Sequence, residues 1–395
     1  MDVIYNIFAI LEKGIVDGLT PSLGAEAALA VMAFIKVFLV ANVGLIMVMV
    51  FIYMERRVLG RFQVRLGPNR VGPEGILQPL ADAVKIMIKE DIIPKAADRL
   101  IFNMAPIMAF VPIMLVFAVI PFGVGVAGGQ TYYMTVANLD IGILYVLAVT
   151  SLGEIAVFMA GWSSNNKFAL FGAMRAAAQL VSYEIPLVLA VVGVVIVTGS
   201  LSLVKIVEAQ AVPFIFMQPL GFVIFITAVS AELNRTPFDL LEAESELVTG
   251  YHIEYSGMKF GMFYLAEYLA AFAFSAVIST LFLGGWMGPV LPSYVWLLLK
   301  ALFVFFLFIW VRATLPRVRI DQVMALAWKF LLPLALINIG ITAVEALLWP
   351  TFPWFLAPVN IGIGVLVTWA LAAAFRKVWE PRWKPGQFAP TPAGG

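Results

Sequence analysis

The sequence predicts an all-α polytopic membrane protein with about nine transmembrane helices and one amphipathic helix on the cytoplasmic side. The first observation is composition: the 395-residue chain is 62% hydrophobic and 12% charged, against about 45–50% and about 25% in ordinary soluble domains. The second is that runs of about 20 apolar residues, enough to cross a bilayer core as a helix, recur along the whole chain.

Nine apolar segments are long enough to be interpreted as spans. They lie near residues 27–54, 100–123, 140–160, 172–198, 216–233, 260–283, 295–313, 322–347 and 358–375. The fifth and the ninth are the shortest. Between spans, glycine and proline clusters at 123–129, 284–292 and 349–358 predict short loops outside the hydrocarbon.

An amphipathic helix is predicted near residues 75–90. Its apolar residues recur at helical spacing from Ile76, whereas Asp82, Lys85 and Lys89 line another face. Such a helix is expected to lie in the membrane interface. Two roles stay open for it: a roof over a cavity between the spans, or a simple surface anchor.

The distribution of basic residues predicts the orientation. If the first span ends inward at Glu55, four basic residues fall outside the cytoplasmic segments and their borders: Lys13, Lys36, Lys205 and Lys300. Because cytoplasmic loops carry the excess of Lys and Arg, we expect the N-terminus outside and the C-terminus in the cytoplasm. The expected location is the inner membrane of a bacterial cell.

Metal-binding side chains are scarce, since the chain has no cysteine and a single histidine, His252. Cysteine and histidine hold iron–sulfur clusters, most haems and structural zinc. No metal site is therefore predicted, and redox chemistry would need metals on partner subunits. His252 could titrate with a substrate, although we favour an ordinary surface histidine. Nucleic acid is not an expected ligand.

Four carboxylates fall in or at the end of apolar spans: Glu154, Glu184, Glu232 and Glu267. An ionised carboxylate near the bilayer centre costs about 2.5–3.5 kcal/mol, so a chain keeps one there only if it is paired, protonated or facing water. At about 1.5 Å per helical residue, all four lie in the inner half of the membrane, and Glu184 is the deepest. They form a graded series of depths.

The loop after the fifth span, residues 234–259, is acidic. Its carboxylates are Asp239, Glu242, Glu244, Glu246 and Glu254. In a helix, Glu242 and Glu246 would share a face and Glu244 would point away. Like charges raise one another's pKa, so some of these groups could exchange protons near neutral pH. The alternative is a solvated acidic loop paired with basic residues of a neighbouring protein.

From the residues alone, the chain is a set of spans with a proton-capable acidic pathway open to the cytoplasm. A transporter, a proton-pump module and a membrane-anchored redox subunit all fit this description. No nucleotide-binding loop or nucleophile motif separates them. A transporter would be expected to show inverted repeats and broken helices at the midplane, and the sequence shows neither.

Four long motifs stand in collinear order along the chain. They are MERRVLGRFQVRLGPNRVGPEGILQPLADAVKIMIKEDIIP (54–94), GWSSNNKFALFGAMRAAAQLVSYEIP (161–186), AELNRTPFDLLEAESELVTGYHIEYSGMKF (231–260) and LPRVRIDQVMALAWKFLLP (315–333). Together they resemble the H subunits of proton-pumping NADH:quinone oxidoreductase, respiratory complex I. The resemblance covers most of residues 27–347. We therefore expect one membrane domain over 1–347, and an extra span with a Pro-rich tail over 348–395.

The resemblance implies a membrane-arm subunit that is inactive alone, with a quinone as substrate and no covalently bound cofactor. Iron–sulfur clusters and flavin are then expected only on partner subunits. In this family the first cytoplasmic loop and the acidic loop frame the quinone chamber, which assigns Arg56, Arg57 and Asp82 to that chamber. The same matching assigns a proton pathway to Glu154, Glu184, Glu232, Glu242, Glu244, Glu246 and Glu267. No catalytic residue is assigned.

The implied partners are other complex I subunits, including the iron–sulfur subunit of the soluble arm and antiporter-like membrane subunits, together with quinone and the lipid bilayer. Leu241 departs from the family, which usually has a proline at this position. A membrane subunit of a related respiratory hydrogenase is the alternative function. A stand-alone proton-coupled transporter ranks below it.

Overall fold

The computed structural model describes residues 6–241, 248–349 and 356–379. Helices make up 74% of the chain, which confirms the predicted all-α class. Within the described residues, eight helices are long and apolar enough to cross a membrane, and a ninth apolar helix, Pro219–Glu232, is shorter. The prediction of about nine spans, with a short fifth one, is therefore confirmed.

The helices are numbered in chain order. They are α1 Ile7–Leu23, α2 Ala25–Phe62, α3 Gln78–Ile88, α4 Arg99–Val116, α5 Gly142–Ser163, α6 Lys167–Thr198, α7 Leu203–Glu208, α8 Phe214–Met217, α9 Pro219–Glu232, α10 Gly257–Phe282, α11 Ser293–Thr314, α12 Ile320–Ala325, α13 Leu332–Leu348 and α14 Leu356–Trp379. A π-helical turn, Leu326–Leu331, joins α12 to α13, and single 3₁₀ turns occur at Pro73–Gly75 and Gly250–His252.

Local side-chain bonds explain where several helices begin and end. Asp98 accepts a hydrogen bond from the backbone N–H of Leu100 at 3.1 Å and caps the start of α4. Asn166 caps α6 in the same way through Phe168, at 2.9 Å. Gly199 ends α6 in the left-handed conformation, with φ of 64°, which glycine adopts without the steric cost of a Cβ.

Helix α10 is the centre of the bundle. In its most apolar stretch 83% of the residues are buried within the protein, against 17% in α2, whose surface is left for lipid or partners. The core around α10 is aromatic: Phe272 packs edge-on against Phe51 of α2, and Phe51 stacks on Phe305 of α11 with ring centroids 3.8 Å apart. These contacts join α2, α10 and α11.

The predicted amphipathic helix is present as α3, with Pro79 in its first turn. It contacts α2 and α10, and it leaves apolar side chains such as Met87 and Ile88 exposed, at 67% and 79%. Pro79 is compatible with this position because the first helical N–H groups have no intrahelical partner. Its placement in the membrane interface stays a prediction.

The structure adds elements that the sequence did not predict. An antiparallel hairpin pairs Val124–Ala127 with Gln130–Tyr133, inside a segment expected to be a plain loop. Helix α1 was missed because its 17 residues and internal Pro21 do not match a span. Helix α2 also continues eight residues beyond the predicted end at residue 54, to Phe62, so Glu55, Arg56 and Arg57 are helical.

Candidate functional site

A cavity of about 900 Å³ lies between the C-terminal part of α2, the helix α3 and the start of α10. This large cavity has mostly apolar and aromatic walls, formed by residues such as Ile52 and Phe260. Its titratable and charged lining residues are Arg56, Asp82, Lys85, Lys89, His252, Tyr255, Tyr264 and Tyr268. Apolar walls with a few polar groups are typical of small-molecule sites.

Two of the predicted chamber residues meet at this cavity. Arg56 donates a hydrogen bond to the carboxylate of Asp82, and Gln78 donates another at 3.1 Å. Partial burial raises the pKa of Asp82, but the bonds from Arg56 and Gln78 and the nearby charge of Lys85 lower it further, so the net pKa lies below its ordinary value. Asp82 is therefore a fixed negative charge at neutral pH.

Arg57, the third predicted chamber residue, is bonded to the loop after α2. It donates to the main-chain oxygens of Pro68 at 3.2 Å and Glu74 at 2.8 Å, and it pairs with the Glu74 carboxylate at 2.5 Å. Arg57 is not among the described residues that line the large cavity. Its contacts hold the loop whose end carries α3.

His252 is buried, with 3% of its surface exposed, so the interpretation of it as a surface histidine was wrong. Aromatic rings enclose it: the centroids of Tyr251, Phe260 and Tyr264 lie 4.8, 5.3 and 6.3 Å away. Burial lowers the pKa of His252 to about 4. The imidazole is thus neutral at pH 7. The aromatic residues flanking it in GYHIEYSGMKF were the sequence signal for this burial.

A second, smaller cavity brings predicted proton-pathway carboxylates together. It measures about 100 Å³ and is lined by Glu154 from α5, Glu232 from the end of α9 and Glu267 from α10. Asn234 and Thr150 add polar groups to the same wall. A polar cavity of this size has room for several waters. Three carboxylates around shared water can hold and exchange protons as one coupled group.

Glu184 on α6 is not among the described residues that line this small acidic cavity. It nevertheless lies near enough to repel both Glu154 and Glu232 electrostatically. All four predicted span carboxylates are half-buried. Glu154, Glu184 and Glu232 interact electrostatically with one another, whereas Glu267 interacts with Glu55, Arg235, Arg312 and Asp239.

The acidic loop is described only at its ends, and Glu242, Glu244 and Glu246 lie outside the described residues. At one end Arg317 donates to the main-chain oxygen of Asp239 and approaches the Asp239 carboxylate at 3.3 Å. At the other end Asn166 donates to Glu254 at 2.6 Å. Both described ends are thus tied by charge or amide contacts, one to the segment before α12 and the other to the residue that caps α6.

Four charged side chains form an ion cluster around buried Glu55 and Arg235, and of these four only Glu267 was a predicted site residue. Arg235 donates to Glu55 at 2.9 and 3.0 Å and approaches Glu267 at 3.3 Å. Arg312 also donates to Glu55. Glu55 and Arg235 are only 3% and 4% exposed. The Arg312 and Glu267 side chains are half-buried, at 36% and 27% exposure, and the two cations balance the two carboxylates, as buried ionic groups require.

The ion cluster lies between the two cavities. The Arg235 guanidinium sits 4.6 Å from the centre of the Tyr268 ring, and Tyr268 lines the large cavity. Arg235 also contacts Glu267, which lines the small acidic cavity. A change of charge in one cavity can therefore reach the other through adjoining groups over two contacts.

The side chains present supply hydrogen bonding, charge pairing and proton exchange. Among the described residues, no group of three or more His, Asp or Glu side chains has the arrangement of a metal site. The large cavity suits an apolar molecule with a polar head, and the small acidic cavity suits protons and water.

Comparison with known proteins gives a consistent result. A family model described as NADH dehydrogenase matches residues 35–343. The chain is 58% identical over 346 residues to the H subunit of NADH-quinone oxidoreductase from Dehalococcoides mccartyi strain CBDB1, covering 87% of this chain and 95% of that protein. It is 49% identical over 321 residues to the corresponding H subunit of Syntrophotalea carbinolica, covering 81% and 97%. With the H subunit of Geobacillus kaustophilus it shares 55% identity over 297 residues, or 73% and 86%.

Proposed function

The chain belongs to the NADH dehydrogenase family of complex I membrane proteins, as an H-type subunit, and we propose that it forms the membrane side of a quinone chamber and couples quinone reduction to proton translocation. It is a membrane subunit of an oxidoreductase complex, and other subunits of that complex are its partners. The chamber in this proposal is the large cavity.

One observation carries the proposal: the continuous set of contacts from Tyr268 through Arg235 to Glu267. It joins a cavity large enough for a quinone ring to a cavity lined by three carboxylates. A protein that only bound quinone would not need the second cavity. A protein that only conducted protons would not need the first.

Quinone reduction fits the groups that line the large cavity. A quinone takes up two electrons and two protons to become a quinol, and the electrons come from an iron–sulfur cluster on a partner subunit. The aromatic wall accommodates the ring, while Arg56 and Asp82 form a fixed ion pair at the edge. The negative charge that arrives with the electrons is attracted to Arg56 and, across Tyr268, to Arg235.

The carboxylates carry the second half of the mechanism. Negative charge in the large cavity weakens the electrostatic attraction between Arg235 and Glu267, because Arg235 is then attracted to two anions at once. Glu267 is consequently more ready to take a proton from water in the small acidic cavity. In this proposal the change in protonation passes from Glu267 to the other span carboxylates, Glu154, Glu232 and Glu184. The proton pathway also includes the carboxylates of the cytoplasmic loop, Glu242, Glu244 and Glu246.

The partner assignments in this proposal follow from the family resemblance. We place the iron–sulfur subunit of the soluble arm over the cytoplasmic mouth of the large cavity, and antiporter-like subunits beside the acidic set. Flavin and iron–sulfur clusters belong to those partners. The orientation we propose has the N-terminus outside a bacterial inner membrane and the C-terminus in the cytoplasm.

The test starts with the intact complex. The chain is tagged at its C-terminus and isolated in mild detergent, and NADH-driven quinone reduction is measured with and without a quinone-site inhibitor while copurifying subunits are identified. Inhibitor-sensitive reduction by a large complex is the expected result. Copurification of a hydrogenase, without quinone reductase activity, would overturn the proposal in favour of the related hydrogenase.

Coupling is tested separately by replacing Glu244 with Gln. Lower quinone reduction or a lower proton-to-electron ratio, with normal assembly, is expected. Unchanged activity together with an unchanged ratio would remove Glu244 from the pathway. Glu26, an exposed residue in the first turn of α2, is the matched control because its replacement by Gln also removes one carboxylate.

A further inference from the structure

The turn that ends α9 sets the position of Arg235. The backbone N–H of Asn234 donates to the main-chain oxygen of Ala231 at 3.2 Å, and that of Arg235 donates to Ser230 at 3.1 Å. This pair of bonds is the Schellman arrangement of helix ends, and Asn234 occupies its left-handed position, with φ of 52°. Asparagine tolerates this conformation better than most residues other than glycine. Arg235 is the first residue beyond the turn.

Gln179 of α6 reaches this turn with its side-chain amide. Gln179 is fully buried, at 0% exposure. Its Nε2 donates to the main-chain oxygens of Ala231 at 2.8 Å and Phe238 at 3.0 Å, and it lies 3.3 Å from Oδ1 of Asn234. Ala231 and Phe238 stand on either side of Arg235 in the chain. One amide group therefore fixes the main chain both before and after Arg235.

The chemistry of this contact requires a hydrogen-bond donor. Three oxygen atoms surround Nε2 of Gln179, and a primary amide supplies two N–H groups on that one nitrogen. Removal of the amide would leave buried carbonyl oxygens without this donor, which is unfavourable in a protein interior. Gln179 lines neither the large cavity nor the small acidic one. Its influence on the two cavities must therefore act through the turn.

We propose that Gln179 is a positioning residue for coupling, which keeps the Arg235 guanidinium between Tyr268 and Glu267. This inference rests on the proposed function and adds one residue to it. The guanidinium lies 4.6 Å from the centre of the Tyr268 ring and 3.3 Å from the Glu267 carboxylate. Attraction between charges falls with the distance between them, so a displacement of about 3 Å would halve that between Arg235 and Glu267. A fixed main chain therefore keeps the electrostatic connection between the cavities strong.

The first test measures coupling in Gln179→Met, which keeps the length of the side chain but has no donor. The intact complex is placed in vesicles, and the protons translocated per electron are measured during NADH-driven reduction of a short-chain benzoquinone. We expect this ratio to fall below the wild-type value, with the KM for the benzoquinone unchanged because Gln179 lines neither cavity. A role in stability alone would lower the amount of assembled complex and leave the ratio unchanged.

Hydrogen exchange of the same complex, followed by mass spectrometry, tests whether Gln179 fixes the turn. The backbone N–H groups of Asn234 and Arg235 are bonded within the turn, so their exchange reports its local opening. With the loss of one or two net hydrogen bonds, we expect these amides to exchange about five- to thirtyfold faster in Gln179→Met.

Gln210→Met is the matched control. Gln210 is also a buried glutamine, at 2% exposure. It donates to the main-chain oxygen of Thr280 at 2.7 Å and accepts from the backbone N–H of Gly284 at 2.8 Å. Like Gln179, it lines neither the large cavity nor the small acidic cavity. We expect the wild-type proton-to-electron ratio in this variant.

The outcomes separate this inference from the proposed function. A wild-type ratio or unchanged exchange in Gln179→Met, in a complex that reduces quinone and translocates protons, would overturn the positioning role alone. An equal fall of the ratio in Gln210→Met would also overturn it. A wild-type complex without inhibitor-sensitive reduction would overturn the proposed function. If Gln179→Met does not assemble, the same measurements are made on Gln179→Asn, whose amide is one methylene too short to reach both carbonyls.

Discussion

A single nitrogen of Arg235 donates to both carboxylate oxygens of Glu55, at 2.9 and 3.0 Å, although the two residues are 180 positions apart in the chain. Their contact joins the C-terminal part of α2 to the segment that follows α9. Arg312 adds a donor from α11 to the same carboxylate. Three distant parts of the chain are thus held by one buried anion.

Replacement of Arg235 by Met is expected to destabilise the protein strongly. The substitution leaves Glu267 without this cation and Glu55 with Arg312 alone. Removal of one partner of a buried ion pair typically costs about 3–5 kcal/mol. The expected result is a clear fall in the thermal unfolding midpoint of the isolated complex, measured by the loss of soluble assembled complex on heating.

Arg65→Met provides the control for Arg235→Met. Arg65 is exposed and contacts Gln63 at 2.7 Å, so its loss should change stability by less than about 0.5 kcal/mol. Equal midpoints for the two variants would mean that the buried ion cluster contributes no more to stability than a surface residue does.

The helices could be predicted from the sequence because the signal for them is local. Runs of apolar residues located the spans, and the helical spacing from Ile76 located α3, whose observed bounds are Gln78–Ile88. The first span was predicted to end at residue 54, where charged residues start at Glu55, and the helix itself continues to Phe62. Burial of Glu55 against two arginines removes the reason for the helix to stop there.

The buried ion cluster could not be predicted because its signal is not local. Glu55 and Arg312 are 257 positions apart, and each alone resembles an ordinary charge at the end of a span. Glu154, Glu232 and Glu267 were found because a lone carboxylate inside an apolar run is itself anomalous. The arginines that balance buried carboxylates lie outside the apolar cores, where arginine is expected for other reasons.

Replacement of Glu154 by Gln is expected to impair coupling more than quinone binding. Glu154 lines the small acidic cavity and not the large one. We expect the number of protons translocated per electron to fall below the wild-type value, with the KM for quinone unchanged. Proton uptake into vesicles that contain the complex, measured beside NADH oxidation, reports both quantities.

Glu26→Gln is the control for Glu154→Gln, since both substitutions neutralise one carboxylate and Glu26 is exposed at the start of α2. Its proton-to-electron ratio should equal that of the wild type. If Glu154→Gln also retained the full ratio, Glu154 would have no part in the proton pathway.

Acidification is expected to destabilise the segment around His252. Burial lowers its pKa from 6.5 to about 4, so the folded state binds fewer protons than the unfolded state between these values. The stabilising contribution is complete above pH 6.5 and is lost as pH falls towards 4, on the order of 3 kcal/mol for a shift of this size. The groups that share its cavity are Arg56, Asp82, Lys85, Lys89, Tyr255, Tyr264 and Tyr268.

The measurement is the thermal midpoint of the complex as a function of pH in the wild type and in His252→Phe. Phenylalanine keeps an aromatic ring but cannot take up a proton. The wild type should lose stability relative to the variant as pH falls from 6.5 to 4. Above pH 7 the difference between the two thermal midpoints should stay constant. A constant difference across the whole range would contradict a buried neutral histidine.

Tyr255→Phe is expected to cost about 1 kcal/mol, the usual worth of one net hydrogen bond. The hydroxyl donates to the main-chain oxygen of Phe102 at 3.2 Å, and the two rings stack with centroids 4.0 Å apart. Burial raises the pKa of Tyr255 to about 12, so the hydroxyl remains protonated at neutral pH and can donate. Tyr255→Ala also removes the stacked ring and should cost about 3–5 kcal/mol.

Chemical unfolding of the isolated complex is monitored by the release of this chain. It ranks the stability of the two Tyr255 variants against that of the wild type. The smaller loss for Tyr255→Phe would show that ring packing contributes more than the hydroxyl. Equal losses for both variants would mean that the hydrogen bond to Phe102 carries the whole effect.

Removal of the chain after Trp349 is expected to leave quinone reduction intact. Helix α14 is attached at its start by Asn360, which donates to the main-chain oxygen of Met217 at 2.7 Å and to the carboxylate of Glu345 at 3.1 Å. These contacts lie against α8 and α13, and α14 contributes no described residue to the lining of either the large cavity or the small acidic cavity. The KM for quinone in the truncated complex should therefore stay within about twofold of the wild type.

The milder variant Asn360→Leu removes only the polar attachment and should loosen α14, seen as faster proteolysis of the C-terminal segment. A truncated complex that assembles but has lost quinone reduction would mean that α14 acts on the cavities through the helices it contacts.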